Sequence, residues 1–265
     1  MINQENILEI SNITKIFSDE HGTKRKVLEG ISFTVPVSSP KITSIIAPFG
    51  AGKSTLFKII AGIETATKGE VILKKEKYLQ PNGKIVLIPE RSSTLPWLNV
   101  RKNIELLYRL ETCRKNNGSH DINELIALVG LSGYENHYPY NSSFGFRFRI
   151  SLARALLLNP IVLLLDDCFR KMDVATREEI YNLLEFVSKK VDTHFLLATT
   201  NIIEAIRLSG RILLMSKAPG RIYKEIYVTD EHITDYNDSR FNKYRQSIEK
   251  AFSEEKQLGS INFSI

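Results

Sequence analysis

Cysteine is nearly absent: Cys113 and Cys168 are the only two in 265 residues. Their spacing fits no metal-ligand pattern and two thiols make no disulfide framework, so a zinc site and a stapled secreted fold are both excluded and a reducing compartment is expected. Long apolar runs are absent too. The longest, "IVLLL" at 161–165, is strand-sized, whereas a membrane-spanning helix needs about 20 residues. The start, "MINQENILEI", has neither the basic nor the apolar region of a signal peptide. No repeat recurs at solenoid periods. Charge of one sign is not concentrated anywhere. The net charge is +6, but the basic clusters at Lys24–Lys26, Lys74–Lys77 and Arg170–Lys171 are scattered. They read first as solvated surface and second as contacts to nucleic acid or an anionic membrane surface, and no nucleic-acid partner is expected. What remains is ordinary: 43% hydrophobic and 25% charged residues, enough for a globular core without staples.

Residues 7–17, 27–36 and 41–47 are rich in Ile, Val, Phe and Thr and read as strands, punctuated by Pro36, Ser38, Ser39 and Pro40. A helix is expected over 53–61, then strands at 70–73 and 84–88. "VRKNIELLYRL" and "DINELIALVGL" carry helical periodicity, the second with Asp121 as N-cap and Glu124 three residues on, and "RKNNGSH" (114–120) reads as the loop between them. "RFRISLARALLLN" is a further helix stopped at Asn159-Pro160. Strands and helices then alternate through "IVLLLDD", "VATREEIYNLLEFVSKK", "THFLLATT", "IIEAIRL" and "RILLMS". Alternation of that kind, with apolar runs showing no polar alternation, predicts an α/β fold around a largely parallel sheet covered on both faces. Past Asp230 the chain is more polar, with one helix in "DSRFNKYRQSIEKAF".

One stretch carries chemistry. Between the apolar run at 41–47 and the helix at 53–61 stand Ala47, Pro48, Phe49, Gly50, Ala51, Gly52, Lys53, Ser54 and Thr55. Apart from alanine at its first glycine, this fills G-x-x-x-x-G-K-[ST], the phosphate-binding loop. Successive backbone N–H groups there converge on phosphate oxygens, and the helix start adds donors and a positive dipole end. Lys53 reaches the β- and γ-phosphates and the Ser54 hydroxyl binds Mg²⁺. Ala47 costs about 1 kcal/mol if the turn needs positive φ there. The apolar strand "VLLLDD" ends in Asp166 and Asp167. Beside a phosphate loop this pair reads as a Mg²⁺-holding carboxylate, Asp166, and a carboxylate facing the attacking water, Asp167; on its own it reads equally as a turn.

With these motifs the chain resembles the ATP-binding subunits of ABC transporters over nearly its whole length. It is most similar to importers of sulfonates, taurine and nitrate in "LPWLNVRKNI" (Leu95–Ile104), "NPIVLLLDDCF" (Asn159–Phe169) and "APGRIYKEI" (Ala218–Ile226). The resemblance implies a P-loop NTPase: a RecA-like core with an antiparallel β portion at 1–89 and 159–230, a helical subdomain at 90–158 and a C-terminal extension at 231–265. It implies ATP and Mg²⁺ as cofactors. Two ATP-binding subunits, identical or different, would close head to tail on two nucleotides at the cytoplasmic face of the membrane, bound to permease subunits and served by any substrate-binding protein. Phe17 matches the aromatic that stacks on adenine, or is an ordinary strand aromatic. Ser143 and Gly145 match the signature motif that faces the partner's ATP, and Asp173 matches the D-loop aspartate. Leu95–Trp97 falls where a permease docks, with Trp97 read equally as a core residue.

Four positions depart from the family's pattern. Pro89 stands at the glutamine of the glutamine loop, and Phe144 stands where the signature has a glycine. Asp167 replaces the catalytic glutamate, one methylene shorter, and Thr200 in "ATTN" replaces the switch histidine. Proline offers no side-chain ligand, and threonine donates a hydrogen bond but has no imidazole to titrate. A reacting group misplaced by about 1 Å loses on the order of 100-fold in rate. The expected function is an ATP-binding transport subunit whose hydrolysis is weak or partner-dependent. The alternatives are a fully active homodimeric import ATPase and a regulatory ATP clamp without transport.

Overall fold

The computed structural model describes residues 5–20, 22–91, 93–109, 121–140, 142–229 and 233–261. Cys113 and the loop expected at 114–120 lie outside the described residues. The chain forms two units, one of residues 1–79 with 197–265 and one of residues 80–196.

In the first unit, β1 (Asn6–Ser18) pairs antiparallel with both β2 (Lys24–Pro36) and β4 (Lys68–Leu73). The two-residue β5 (Glu76–Lys77) closes the edge of this four-stranded sheet. This is the antiparallel portion that the family resemblance implied. β3 (Ile42–Ile46) is buried along its whole length and runs parallel to β9 (Arg211–Met215). β10 (Ile222–Tyr227) adds antiparallel to β9. A strand buried on both faces cannot alternate apolar with polar residues, and neither β3 nor β9 does. α1 (Lys53–Ile60) follows β3, and α6 (Ile202–Leu208) precedes β9.

The C-terminal helix α7 (Ser239–Ile261) is longer than the sequence pattern indicated. Its Phe241, Ile248 and Ala251 join Ile46 of β3, Ala205 and Ile206 of α6, and Ile212 and Leu214 of β9 in one buried cluster. Each large side chain so buried contributes about 1.5–3 kcal/mol. The tail is thereby part of the core of this unit.

In the second unit, β6 (Ile85–Ile88) pairs parallel with β7 (Val162–Asp166), and four α-helices accompany them among the described residues. α2 (Val100–Glu105) tightens into a 3-10 turn at Leu106–Arg109, where the sequence period had suggested continuous α-helix. α3 (Ile122–Leu128) is capped by Asp121, which accepts from the Asn123 backbone N–H. α4 (Phe144–Leu156) begins at its cap Ser143, and α5 (Val174–Ser188) at its cap Asp173. The Phe148 ring of α4 meets Phe169 edge-on, 5.5 Å between centroids, and Phe169 meets Tyr181 of α5 in the same way at 5.5 Å. β8 (His194–Thr199) carries the chain from the second unit back into the first.

Candidate functional site

β3 delivers the chain to Ala47, which is buried and donates its N–H to the Thr199 carbonyl at 3.3 Å. Ala47 is not among the residues with positive φ. The strain expected from alanine in place of glycine therefore does not arise. The turn is made further along. Gly52 caps α1 at φ 98°, ψ 14°, a left-handed conformation open to glycine at no steric cost. A Cβ on Gly52 would lie 2.8 Å from Leu28 Cδ2 and 2.9 Å from Val27 Cγ1, so the loop is pressed against β2 at that point. Gly52 supplies no side-chain cap, and the first turn of α1 holds no acidic residue. No carboxylate of the helix's own first turn offsets its positive end, which faces the loop. Lys53 is buried, and its Nζ donates to the Ala47 carbonyl at 3.0 Å. The loop's own oxygen accepts from the ammonium group that a phosphate oxygen would engage. Ser54 is exposed beside it, with Thr55 half-buried. Pro48 is half-buried, Phe49 and Gly50 are exposed, and Ala51 is buried with its N–H on the Pro48 carbonyl.

Thr200 is exposed at the end of β8, next to the Thr199 carbonyl that Ala47 engages. Phe17 lies on β1, 40% exposed, with Lys15 Nζ 4.8 Å from its ring centre. The first unit therefore joins 47–55 to 199–200 by a hydrogen bond and carries Phe17 on its antiparallel sheet.

The second unit carries the acidic pair and the signature residues. Asp166 is 5% exposed at the end of β7, and Asp167 follows with φ 49°. Ser143 accepts the Phe146 N–H at 3.1 Å as cap of α4, and Gly145 is buried against the Thr176 methyl group of α5. Asp173 accepts from the Thr176 N–H at 2.9 Å and from its hydroxyl at 2.7 Å. These bonds, the backbone one first, hold the Asp173 carboxyl below the usual carboxylate range. Gly145 and Asp173 thus meet at Thr176, and Ser143 caps the helix that carries Gly145. Pro89 and Phe144 line one groove with Glu90, Phe148, Ser151 and Cys168. The Arg147 guanidinium lies 4.6 Å from the Phe144 ring centre.

Sequence reasoning missed three residues here. Glu90 pairs with Arg170 and lies 3.7 Å from Lys171. Buried Asn103 bonds Leu95 through both its N–H and its carbonyl and also reaches the Leu98 and Asn99 carbonyls, fixing the loop that exposes Trp97. Glu204 is buried in α6 against Thr199. Only Glu204 left a signal, a carboxylate in the apolar "IIEAIRL". Trp97 is 68% exposed, which removes its reading as a core residue.

Among the described residues no cluster of three or more His, Cys, Asp or Glu forms a metal site. Mg²⁺ needs none: it is commonly held by one or two protein oxygens together with substrate phosphates. The Ser54 hydroxyl and the Asp166 carboxylate are hard oxygen donors of the type it takes.

A family model described as "ABC transporter" matches residues 28–170. An aliphatic sulfonates import ATP-binding protein of Bacillus cereus is 35% identical over 254 residues, 96% of this chain and 97% of the relative. A taurine import ATP-binding protein of Ruegeria pomeroyi is 30% identical, covering 82% of this chain and 81% of that one. Among solved structures, a dimeric bacterial ABC transporter cassette superposes with a TM-score of 0.70 at 24% identity, covering 84% of this chain and 99% of the cassette. That last likeness speaks for the fold.

Proposed function

The chain belongs to the ABC transporter family, and from that premise we propose how it works as the ATP-binding subunit of an importer. The observation that carries the reading is the β3–loop–α1 turn, with Gly52 at φ 98° and Lys53 folded onto the Ala47 carbonyl. Roles follow residue by residue. The N–H groups of 49–55 and the Lys53 ammonium hold the triphosphate. Ser54 and Asp166 are the residues that would hold Mg²⁺, whose charge would offset that of the phosphates. Phe17 stacks on adenine. Asp167 orients water, and Thr200 donates to the terminal phosphate. Ser143, Gly145 and Asp173 serve a second ATP-binding subunit. Hydrolysis is weak or partner-dependent, because Pro89, Phe144, Asp167 and Thr200 stand at the family's catalytic positions.

No helix among the described residues is long and apolar enough to cross a membrane, and transport needs a permease. We place the chain at the cytoplasmic membrane face, with the helical portion at 90–158 docking the permease through the Leu95–Trp97 loop, the core at 1–89 and 159–230, and the extension at 231–265. Solute selectivity belongs to the permease and any capture protein.

The test is Mg-ATP binding and turnover by the purified chain and its Lys53→Ala variant. The expected result is saturable binding by the wild type, weakened at least tenfold in the variant, with slow turnover. Equal binding by both sinks the phosphate-loop assignment. Rapid turnover by the wild-type chain alone sinks the impaired hydrolysis.

A further inference from the structure

Thr199 and Thr200 are neighbours of one chemical type, yet the fold treats them oppositely: Thr199 is 0% exposed and Thr200 is open to solvent. The Thr199 hydroxyl donates to Glu204 Oε2 at 2.5 Å and accepts the Asn201 backbone N–H at 2.9 Å. Asn201 Nδ2 donates to the other Glu204 oxygen at 3.3 Å, and Asn201 Oδ1 accepts the Ile203 N–H at 2.9 Å. On its backbone side Thr199 accepts the N–H of Ala47, the first residue of the phosphate loop, at 3.3 Å. At the far end of α6, Ser209 is hydrogen-bonded to Ser44 of β3 through their hydroxyls. α6 is therefore fastened to the strand that delivers the phosphate loop at both of its ends.

We infer that Glu204 is a positioning residue for the nucleotide: acting through Thr199, it fixes both Ala47 and the exposed Thr200–Asn201 step. Glu204 is 3% exposed in a helix that also buries Arg207, and an apolar residue at 204 would avoid the desolvation of a charge. What the carboxylate adds is direction. Its two oxygens engage Thr199 and Asn201, the residues on either side of Thr200, and leave Thr200 the one free to face solvent. Displacing Thr199 would move the Ala47 N–H with it. The nucleotide side of this inference rests on the function proposed above; the hydrogen-bonded bracket does not.

Thr199→Val keeps the side-chain shape and removes the hydroxyl, and Thr199→Ser restores the hydroxyl. Two readouts are taken on the full chain: amide hydrogen exchange at Ala47 and Asn201, with Leu213 of β9 as internal control, and the Kd for Mg-ATP. Loss of a buried hydrogen bond to a charged group predicts roughly 10- to 100-fold faster exchange at Ala47 and Asn201 in Thr199→Val. The Kd should rise by about tenfold, and both changes should revert in Thr199→Ser. Glu204→Gln, which keeps an acceptor for only one of its two donors, should fall between. Unchanged exchange, acceleration spread equally to Leu213, or failure of Thr199→Ser to rescue overturns the bracket. Local exchange that accelerates while the Kd stays fixed overturns the positioning role. A wild-type chain that binds no Mg-ATP refutes the nucleotide reading, and the exchange data still decide the bracket.

Discussion

Gly145 offers a test in which packing and motif make separate demands. The residue sits in the first turn of α4, and a Cβ there would lie 2.5 Å from Thr176 Cγ2 on α5, about 1 Å inside ordinary van der Waals contact. Thr176 cannot easily yield. Its side chain is β-branched, with few rotamers open to it, and its hydroxyl is held by Asp173 at 2.7 Å. Gly145→Ala therefore sets a gain in helix propensity of up to about 1 kcal/mol against overpacking of about 1–3 kcal/mol, a net loss of about 0–3 kcal/mol. Thr176→Ser removes the obstructing methyl and keeps the hydroxyl. With Cγ2 gone, the new Cβ meets Ile180 at 3.8 Å, an ordinary contact. In that background Gly145→Ala should become neutral or stabilising. A double-mutant cycle by urea unfolding should give a coupling of about 1–3 kcal/mol, beyond the roughly 0.5 kcal/mol seen for independent sites. Additive effects would refute the reasoning and return Gly145 to its motif role alone.

Asp167→Asn is isosteric and as tolerant of a left-handed backbone, so the fold should persist while any ATP turnover falls by at least tenfold; turnover that survives intact removes Asp167 from the chemistry. The Arg211 side chain bonds Glu225 at 2.6 and 3.1 Å and holds its carboxyl below the usual range. A depressed value means stability that is present above the unfolded-state pKa, about 4.3, and lost as pH falls through the folded value. Urea midpoints measured from pH 6 to pH 3 should thus fall less steeply in Glu225→Gln than in the wild type. The Tyr223 hydroxyl is buried and makes no hydrogen bond among the described residues, and burial, followed by the charge of Glu255, pushes its pKa up to about 12. Tyr223→Phe keeps the edge-on contact with Phe252 and should raise the unfolding free energy by about 1 kcal/mol, where a loss would reveal a partner for the hydroxyl.

The buried strands were legible because a strand covered on both faces does not alternate apolar with polar residues, and β3, β7 and β9 do not. β10 escaped notice because it is an exposed edge: "IYKEIY" is neither a run nor a clean alternation. The phosphate loop was legible because its chemistry is local, every group lying within one turn and one helix start. Ala47 looked costly in sequence and is not, since the left-handed turn falls on Gly50 and Gly52 instead. Glu204 acts through Thr199 on Ala47, more than 150 residues away in sequence, and no spacing rule reaches that far. The exposure of Trp97 depended on Asn103, whose side chain looks in sequence like any polar residue of a helical period.

Each departure from the family's catalytic pattern is met by a local arrangement that suits the residue present. Pro89 precedes Glu90, whose ion pair with Arg170 fastens the segment, and the Cys168 thiol donates to the Ile88 carbonyl on its other side at 3.3 Å. Phe144 is matched by Arg147, one turn on, over its ring. Asp167 occupies φ 49°, a region that aspartate tolerates better than longer side chains because its carboxylate bonds locally. Thr200 is set by the Thr199–Glu204 bond beside it. The surroundings fit proline, phenylalanine, aspartate and threonine, and this supports the proposal of slow or partner-dependent turnover, which rapid turnover by the purified chain would overturn.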